Sequence, residues 1–222
     1  MKNSHIEAIF FDLDGTLVDS AGDLATSVNH GLSLIDQGPL AETTIRGFIG
    51  NGADRLIHRA ITGDYEGEAD EALYAPVRRA FLDHYASNVC RLSTLYPNVD
   101  DLLVKLSEHT YKLACITNKP QAFTQPLLAN LNIDKYFKLV LSGDSLSRKK
   151  PAPDQLLFAV EQFGVAVSNC LMVGDTNTDM CAALNCEMPG IFVTYGYGEA
   201  KDLDPRFSGP KIDDIAALHR YL

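Results

Sequence analysis

Phe10-Phe11-Asp12-Leu13-Asp14-Gly15-Thr16-Leu17 closes the apolar run over residues 6–12 with two carboxylates one residue apart. So short and apolar a run reads as a strand buried on both faces, as in a parallel sheet. Side chains alternate along a strand with a period of two, so Asp12 and Asp14 at its end can face the same way. One carboxylate so placed can attack an electrophile or bind a metal while its neighbour moves a proton. A plain strand followed by an Asp-Gly turn has the same local signature. A calcium-binding EF-hand loop does not fit. Counted from Asp12 it requires Gly sixth and Glu twelfth, and the chain has Leu17 and Asp23 there.

Downstream of this strand the pattern changes twice. From residue 20 to residue 88 the periodicity is helical: Leu24, Val28, Leu32 and Ile35 form one stripe, Leu56, Ile57, Ala60 and Ile61 a second, Leu73, Val77, Phe81 and Tyr85 a third. Gly and Asp clusters at residues 50–54 and 63–70 separate them. After Tyr96-Pro97, short apolar strands over residues 113–117, 139–142, 171–174 and 190–194 alternate with helices over 121–131, 154–163 and 178–184. A last helix is expected over 213–221. That alternation implies an α/β fold with a doubly wound, parallel-sheet (Rossmann-like) core. The core is expected to be discontinuous, over residues 1–17 and 91–222, with an all-helical insertion over 18–90. An insertion directly after the first strand overhangs the C-terminal edge of the sheet, where open α/β sheets bind their ligands.

Composition bounds the function. The chain has 222 residues, 46% of them hydrophobic and 22% charged, which suits a folded globular protein and excludes wholesale disorder. No apolar run reaches the roughly 18–20 residues that span a bilayer, and the start of the chain is cut off by acidic residues before it resembles a secretion signal. A net charge of −10 repels a phosphate backbone, which argues against nucleic acid as a partner. An odd number of cysteines, Cys90, Cys115, Cys170, Cys181 and Cys186, reads as reduced thiols of a cytoplasmic protein. Cys181 and Cys186 lack a zinc-ligand spacing, and the six histidines share no spacing that suggests a site.

Three further segments follow apolar strands or lie in loops: Ile116-Thr117-Asn118, Lys149-Lys150-Pro151-Ala152-Pro153, and Val173-Gly174-Asp175-Thr176-Asn177-Thr178-Asp179. Each alone has an ordinary reading as a turn, a solvated loop or a helix N-cap. Together with Asp12-Leu13-Asp14-Gly15-Thr16, and in this order, they make the chain resemble the haloacid dehalogenase superfamily over essentially its whole length. The resemblance implies Asp12 as nucleophile and Asp14 as general acid and base. It implies Thr117 and Asn118 as phosphate ligands, and Lys150 as the cation that neutralises nucleophile and phosphate. It implies Mg²⁺ held by Asp12, the Asp14 backbone carbonyl and Asp175, with Asp179 in support. Crowded carboxylates require a divalent cation in any case, and magnesium suits an all-oxygen site.

The reaction implied is hydrolysis of a small-molecule phosphomonoester through an aspartyl-phosphate. Asp14 disfavours the dehalogenases and phosphonate-cleaving members, which usually lack the second aspartate. Sugar-phosphate members commonly carry an acidic residue and then a histidine where this chain has Gly22 and Leu24. Asp19-Ser20-Ala21-Gly22-Asp23-Leu24, Ile49-Gly50-Asn51-Gly52-Ala53-Asp54, Thr117-Asn118-Lys119-Pro120 and Thr194-Tyr195-Gly196-Tyr197-Gly198 are instead similar to the phosphoglycolate phosphatases, apart from Gly22, where that group usually has proline. The insertion would then be a cap. Gly50 and Asn51 would tip toward the site, and Arg46 or Lys119 would meet the substrate carboxylate. Broader phosphatases for sugar phosphates, nucleotides or pyrophosphate, a phosphomutase, and a non-catalytic binding protein remain alternatives, as do monomer and homodimer.

Overall fold

The computed structural model describes residues 5–222; residues 1–4 of the expected core lie outside the described residues. The first strand, β1 (Ala8–Phe11), is wholly buried. The chain then turns through β2 (Val18–Asp19) into α1 (Ala21–Leu32), α2 (Glu42–Arg46), α3 (Ala53–Thr62) and α4 (Glu71–Asn88), and returns along β3 (Thr94–Leu95). The strands β2 and β3 pair antiparallel, Val18 with Leu95 and Asp19 with Thr94, so the outgoing and returning chains run side by side. From there follow α5 (Val99–Glu108), β4 (Lys112–Ile116), α6 (Gln121–Asn130), β5 (Leu139–Leu141), α7 (Asp154–Phe163), β6 (Cys170–Gly174), α8 (Asn177–Leu184), β7 (Gly190–Val193) and β8 (Lys211–Ile212).

The six-stranded sheet runs β5-β4-β1-β6-β7-β8, parallel throughout. Because strand side chains alternate, Ile9 and Phe11 pack into the core shared with α5, α6 and the inserted helices, while Ala8 and Phe10 pack with the side chains of α7 and α8. The chain leaves β1 toward β4 and β5 on one side and then crosses to β6, β7 and β8 on the other. The strand order therefore reverses at β1, and the crevice of an open α/β sheet opens beyond its C-terminal end.

Several elements differ from the sequence expectation. The last helix is a 3₁₀ helix over Ile215–Tyr221. The α5 helix was not expected, although Val99, Leu102, Leu103 and Leu106 bury one face at helical spacing. The edge strand β8 and the β2–β3 ribbon are two residues long each, too short to show a period. No helix among the described residues is long and apolar enough to cross a membrane.

Candidate active site

Three strand ends meet at the reversal point. The backbone N–H of Asp12 continues the ladder to the Val173 carbonyl at 2.9 Å, which holds Asp12 level with the end of β6, where Asp175 follows. The backbone N–H of Thr117 does the same from the end of β4, to Leu141 at 2.9 Å. Between Asp12 and Asp175 the turn must be narrow. Gly15 has φ +91°, and a Cβ there would stand 2.2 Å from Asp175 Oδ2. Glycine is required on both counts. Thr16 then donates its hydroxyl to Asp175 Oδ1 at 2.9 Å, and the Tyr197 backbone N–H reaches Oδ2 at 2.8 Å.

Lys150 enters this cluster from the loop before α7. Its ammonium lies 2.9 Å from Asp12 Oδ1 and 2.6 Å from Asp179 Oδ1, and donates to the Ile116 carbonyl at 2.5 Å. The other oxygen of Asp179 accepts from the Thr176 N–H and hydroxyl at 3.0 and 2.7 Å, the capping box of α8. Asp179 thus spends its carboxylate on Lys150 and the helix end. Carboxylate oxygens of Asp12, Asp175 and Asp179 all lie within 4.8 Å of one another. Burial first, and then the charge of Asp179, push the Asp12 carboxyl up to about 7, against the pull of Lys150. Burial and the charges of Asp12 and Asp179 raise Asp175 well above the ordinary carboxylate range. Burial alone would lower Lys150; Asp12 and Asp179 hold it raised instead, so it stays charged. One lysine against three buried carboxylates leaves negative charge uncompensated, and hard oxygen donors at this spacing suit a small divalent cation.

Asp14 lines the same cavity as Asp12. Ser20 donates to Oδ1 at 2.5 Å, and Lys119 lies 3.0 and 3.1 Å from the two oxygens. The Lys119 ammonium also donates to the Tyr85 hydroxyl at 2.7 Å and is itself buried. The cavity occupies about 40 Å³ between the sheet end and the inserted helices, walled by Leu24, Ile49, Leu56, Phe81 and Phe123.

The remaining candidates fall into place unevenly. Thr117 lines the cavity, and its oxygen accepts the Lys119 N–H at 3.1 Å, which leaves its hydroxyl hydrogen to give. Asn118 lines the cavity; both hydrogens of its side-chain amide go to the carbonyls of Gly50 at 3.0 Å and Lys150 at 2.9 Å, so that side chain clasps the inserted loop. Gly50 lines the cavity, whereas the Asn51 side chain turns out to Thr178 Oγ1 at 3.1 Å and receives Arg59 at 2.9 Å. Arg46 is not in the lining. Its guanidinium pairs with Asp19 at 2.8 Å and Glu42 at 2.9 Å, so it is not placed to meet a substrate in the cavity. Of the two cations considered for the substrate carboxylate, the structure brings only Lys119 to the site. Tyr85, Ser20 and Tyr197 carry contacts that the sequence reading did not assign. Tyr85 reads there only as the last member of a helical stripe. The five cysteines are free thiols, and none lines the cavity.

Comparison with known proteins agrees with this geometry. The model of the haloacid dehalogenase-like hydrolase family matches residues 9–193. A phosphoglycolate phosphatase of Colwellia psychrerythraea is 41% identical over 206 residues, 92% of this chain and 91% of that one. One of Nitrosococcus oceani is 39% identical over 97% of this chain and 96% of its own. The crystal structure of a predicted phosphoglycolate phosphatase from Haemophilus somnus superposes with a TM-score of 0.89, at 35% identity and 97% coverage of both chains. A buried Asp–Lys–Asp cluster at the switch point of a parallel sheet, in a chain matched by that model over most of its length, has one family assignment: the chain belongs to the haloacid dehalogenase-like hydrolases.

Proposed function

We propose that the protein is a Mg²⁺-dependent phosphomonoester hydrolase whose substrate is 2-phosphoglycolate, split into glycolate and phosphate. The observation that carries the reading is Lys150 bridging Asp12 and Asp179 beside Asp175, with Asp12 and Asp14 lining the cavity next to them. Asp12 attacks phosphorus and the ester oxygen leaves, with Asp14 giving it a proton. Asp14 then takes a proton from the water that opens the aspartyl-phosphate. Lys150 and the Thr117 hydroxyl face the equatorial oxygens, where the transition state carries its charge. Asp12 and Asp175, with the Asp14 carbonyl, would hold Mg²⁺, which supplies charge neutralisation between nucleophile and dianion.

The inserted helices are proposed to be a cap over residues 18–90 on a core of residues 1–17 and 91–222. Two hydrogen bonds tie its Gly50–Asn51 loop to the core, from Asn118 and to Thr178. Ile49, Gly50 and Gly52 of that stretch line the cavity, so the inserted residues border whatever binds there. The relatives named phosphoglycolate phosphatase support the choice of substrate. The test is phosphate release from 2-phosphoglycolate, hexose phosphates, nucleotides and pyrophosphate, with Mg²⁺ and with EDTA. The expected result is the highest kcat/KM for 2-phosphoglycolate, lost in EDTA. A higher value for a hexose phosphate or nucleotide would overturn the substrate, and turnover in EDTA would overturn the metal requirement.

A further inference from the structure

We propose that Tyr85 is a specificity-determining residue, whose phenol hydrogen, beside the Lys119 ammonium, holds the carboxylate end of the substrate. The inference rests on the phosphoglycolate reading and adds to it a residue from the inserted helices.

Hydrogen-bond accounting leads to it. Lys119 has donors only, so in the 2.7 Å contact the ammonium gives and the Tyr85 oxygen accepts. The phenol hydrogen is then left over, and among the described residues nothing accepts it. Tyr85 is 1% exposed, so water does not satisfy it from outside, and the side chain lines the cavity. A buried donor without an acceptor is costly, and an anion in the cavity removes that cost. The ring has little freedom to turn elsewhere. It stacks on Phe81 at 5.5 Å and meets Phe123 edge-on at 4.9 Å. Burial pushes the phenol up to about 12, so it keeps its proton at any working pH.

Position argues the same way. The polar side chains of the lining are Asp12, Asp14, Thr117, Asn118, Lys119 and Tyr85. The first three are assigned to chemistry and phosphate, and Asn118 is committed to two carbonyls. Lys119 gives its three donors to the two Asp14 oxygens and to Tyr85, so the Tyr85 hydrogen, beside that ammonium, is the one left for the other end of a bound molecule. Tyr85 comes from α4 and Lys119 from the loop between β4 and α6, so the pair is complete only when the inserted helices are docked. A substrate with an anionic tail would take that hydrogen beside Lys119 and hold the lid shut.

The experiment is Tyr85→Phe, which removes one hydroxyl and keeps the ring. kcat/KM is compared for 2-phosphoglycolate and 2-hydroxyethyl phosphate, the same skeleton without the carboxylate. A charged hydrogen bond of ordinary strength predicts that the ratio of the two values falls about tenfold, through KM for 2-phosphoglycolate. An equal loss on both esters would make Tyr85 a packing or positioning residue and overturn the proposal, leaving the substrate assignment standing. A wild type that does not favour 2-phosphoglycolate over 2-hydroxyethyl phosphate overturns both. Should the variant not fold, the wild type still decides. Glycolate should compete more strongly than ethylene glycol, and equal inhibition constants would overturn the proposal.

Discussion

The Lys150 ammonium is the residue on which the site turns. It is 2% exposed and shared by two carboxylates, so removing it leaves buried charges without a partner. Breaking such a pair costs about 3–5 kcal/mol, a large part of the stability of a domain. Lys150→Met is therefore expected to lose both turnover and several kcal/mol in urea unfolding, and a variant of wild-type stability would show the ion pairs to be expendable. Asp12→Asn is the cleaner probe of chemistry. It keeps the shape and removes the nucleophile, so turnover should fall by a factor of at least about 10³ while the protein stays folded. Retained activity would dismiss Asp12 as nucleophile. Gly15 belongs to the same scale. With φ +91° and Asp175 Oδ2 2.2 Å from where a Cβ would be, Gly15→Ala should displace Asp175. Loss of activity with a lowered Tm is the expected outcome.

At the level of elements, the junction of the outgoing and returning chain is built on one carboxylate. Asp23, in the first turn of α1, is 2% exposed and accepts from the N–H groups of Arg91, Leu92 and Ser93 and from the Ser93 hydroxyl at 2.7–3.0 Å. It ties the returning chain to the first inserted helix. Tyr197 binds the outgoing linker to the sheet. Its hydroxyl accepts from the N–H groups of Ser20 and Ala21 at 2.8 and 3.1 Å, while its own N–H holds Asp175. Asp23→Asn turns an acceptor into a donor against those N–H groups. It should cost about 2–3 kcal/mol in urea unfolding. A change below about 0.5 kcal/mol would mean that the linker is held by something else.

Across the whole molecule, the excess of buried carboxylates ties stability to pH and metal. Burial and Asp179 lift Asp12 from its ordinary 3.8 to about 7, and Asp175 is lifted in the same direction. A group raised in the folded state binds more protons there than in the unfolded chain. Its favourable contribution is complete below 3.8 and is lost as pH rises through about 7. Without metal, these two groups should make the protein less stable at pH 8 than at pH 5.5. A cation bound by the folded state stabilises it by mass action, and more so where the carboxylates are ionised. The rise in Tm on adding Mg²⁺ to EDTA-treated protein should therefore be larger at pH 8 than at pH 5.5. An equal rise at both would separate metal binding from these carboxylates.

The sequence by itself determined the α/β class with its parallel sheet and the family to which the chain belongs. Asp12, Thr117 and Asp175 each follow an apolar strand, and local pattern is enough to place a residue at a strand end. It left α5 unread although its stripe was there, and β2, β3 and β8 were too short to carry a period. Local pattern also carries no information on which partner a side chain meets across the fold. The Asn118 side chain meets the Gly50 carbonyl, and Arg46 meets Asp19 and Glu42. Lys119 reached Asp14 across 105 residues of sequence. Tyr85 looked like any buried member of α4 until packing set its hydroxyl against Lys119. Those choices belong to the tertiary structure, because each depends on two distant segments meeting in a cavity where a polar group must find a partner or pay for desolvation.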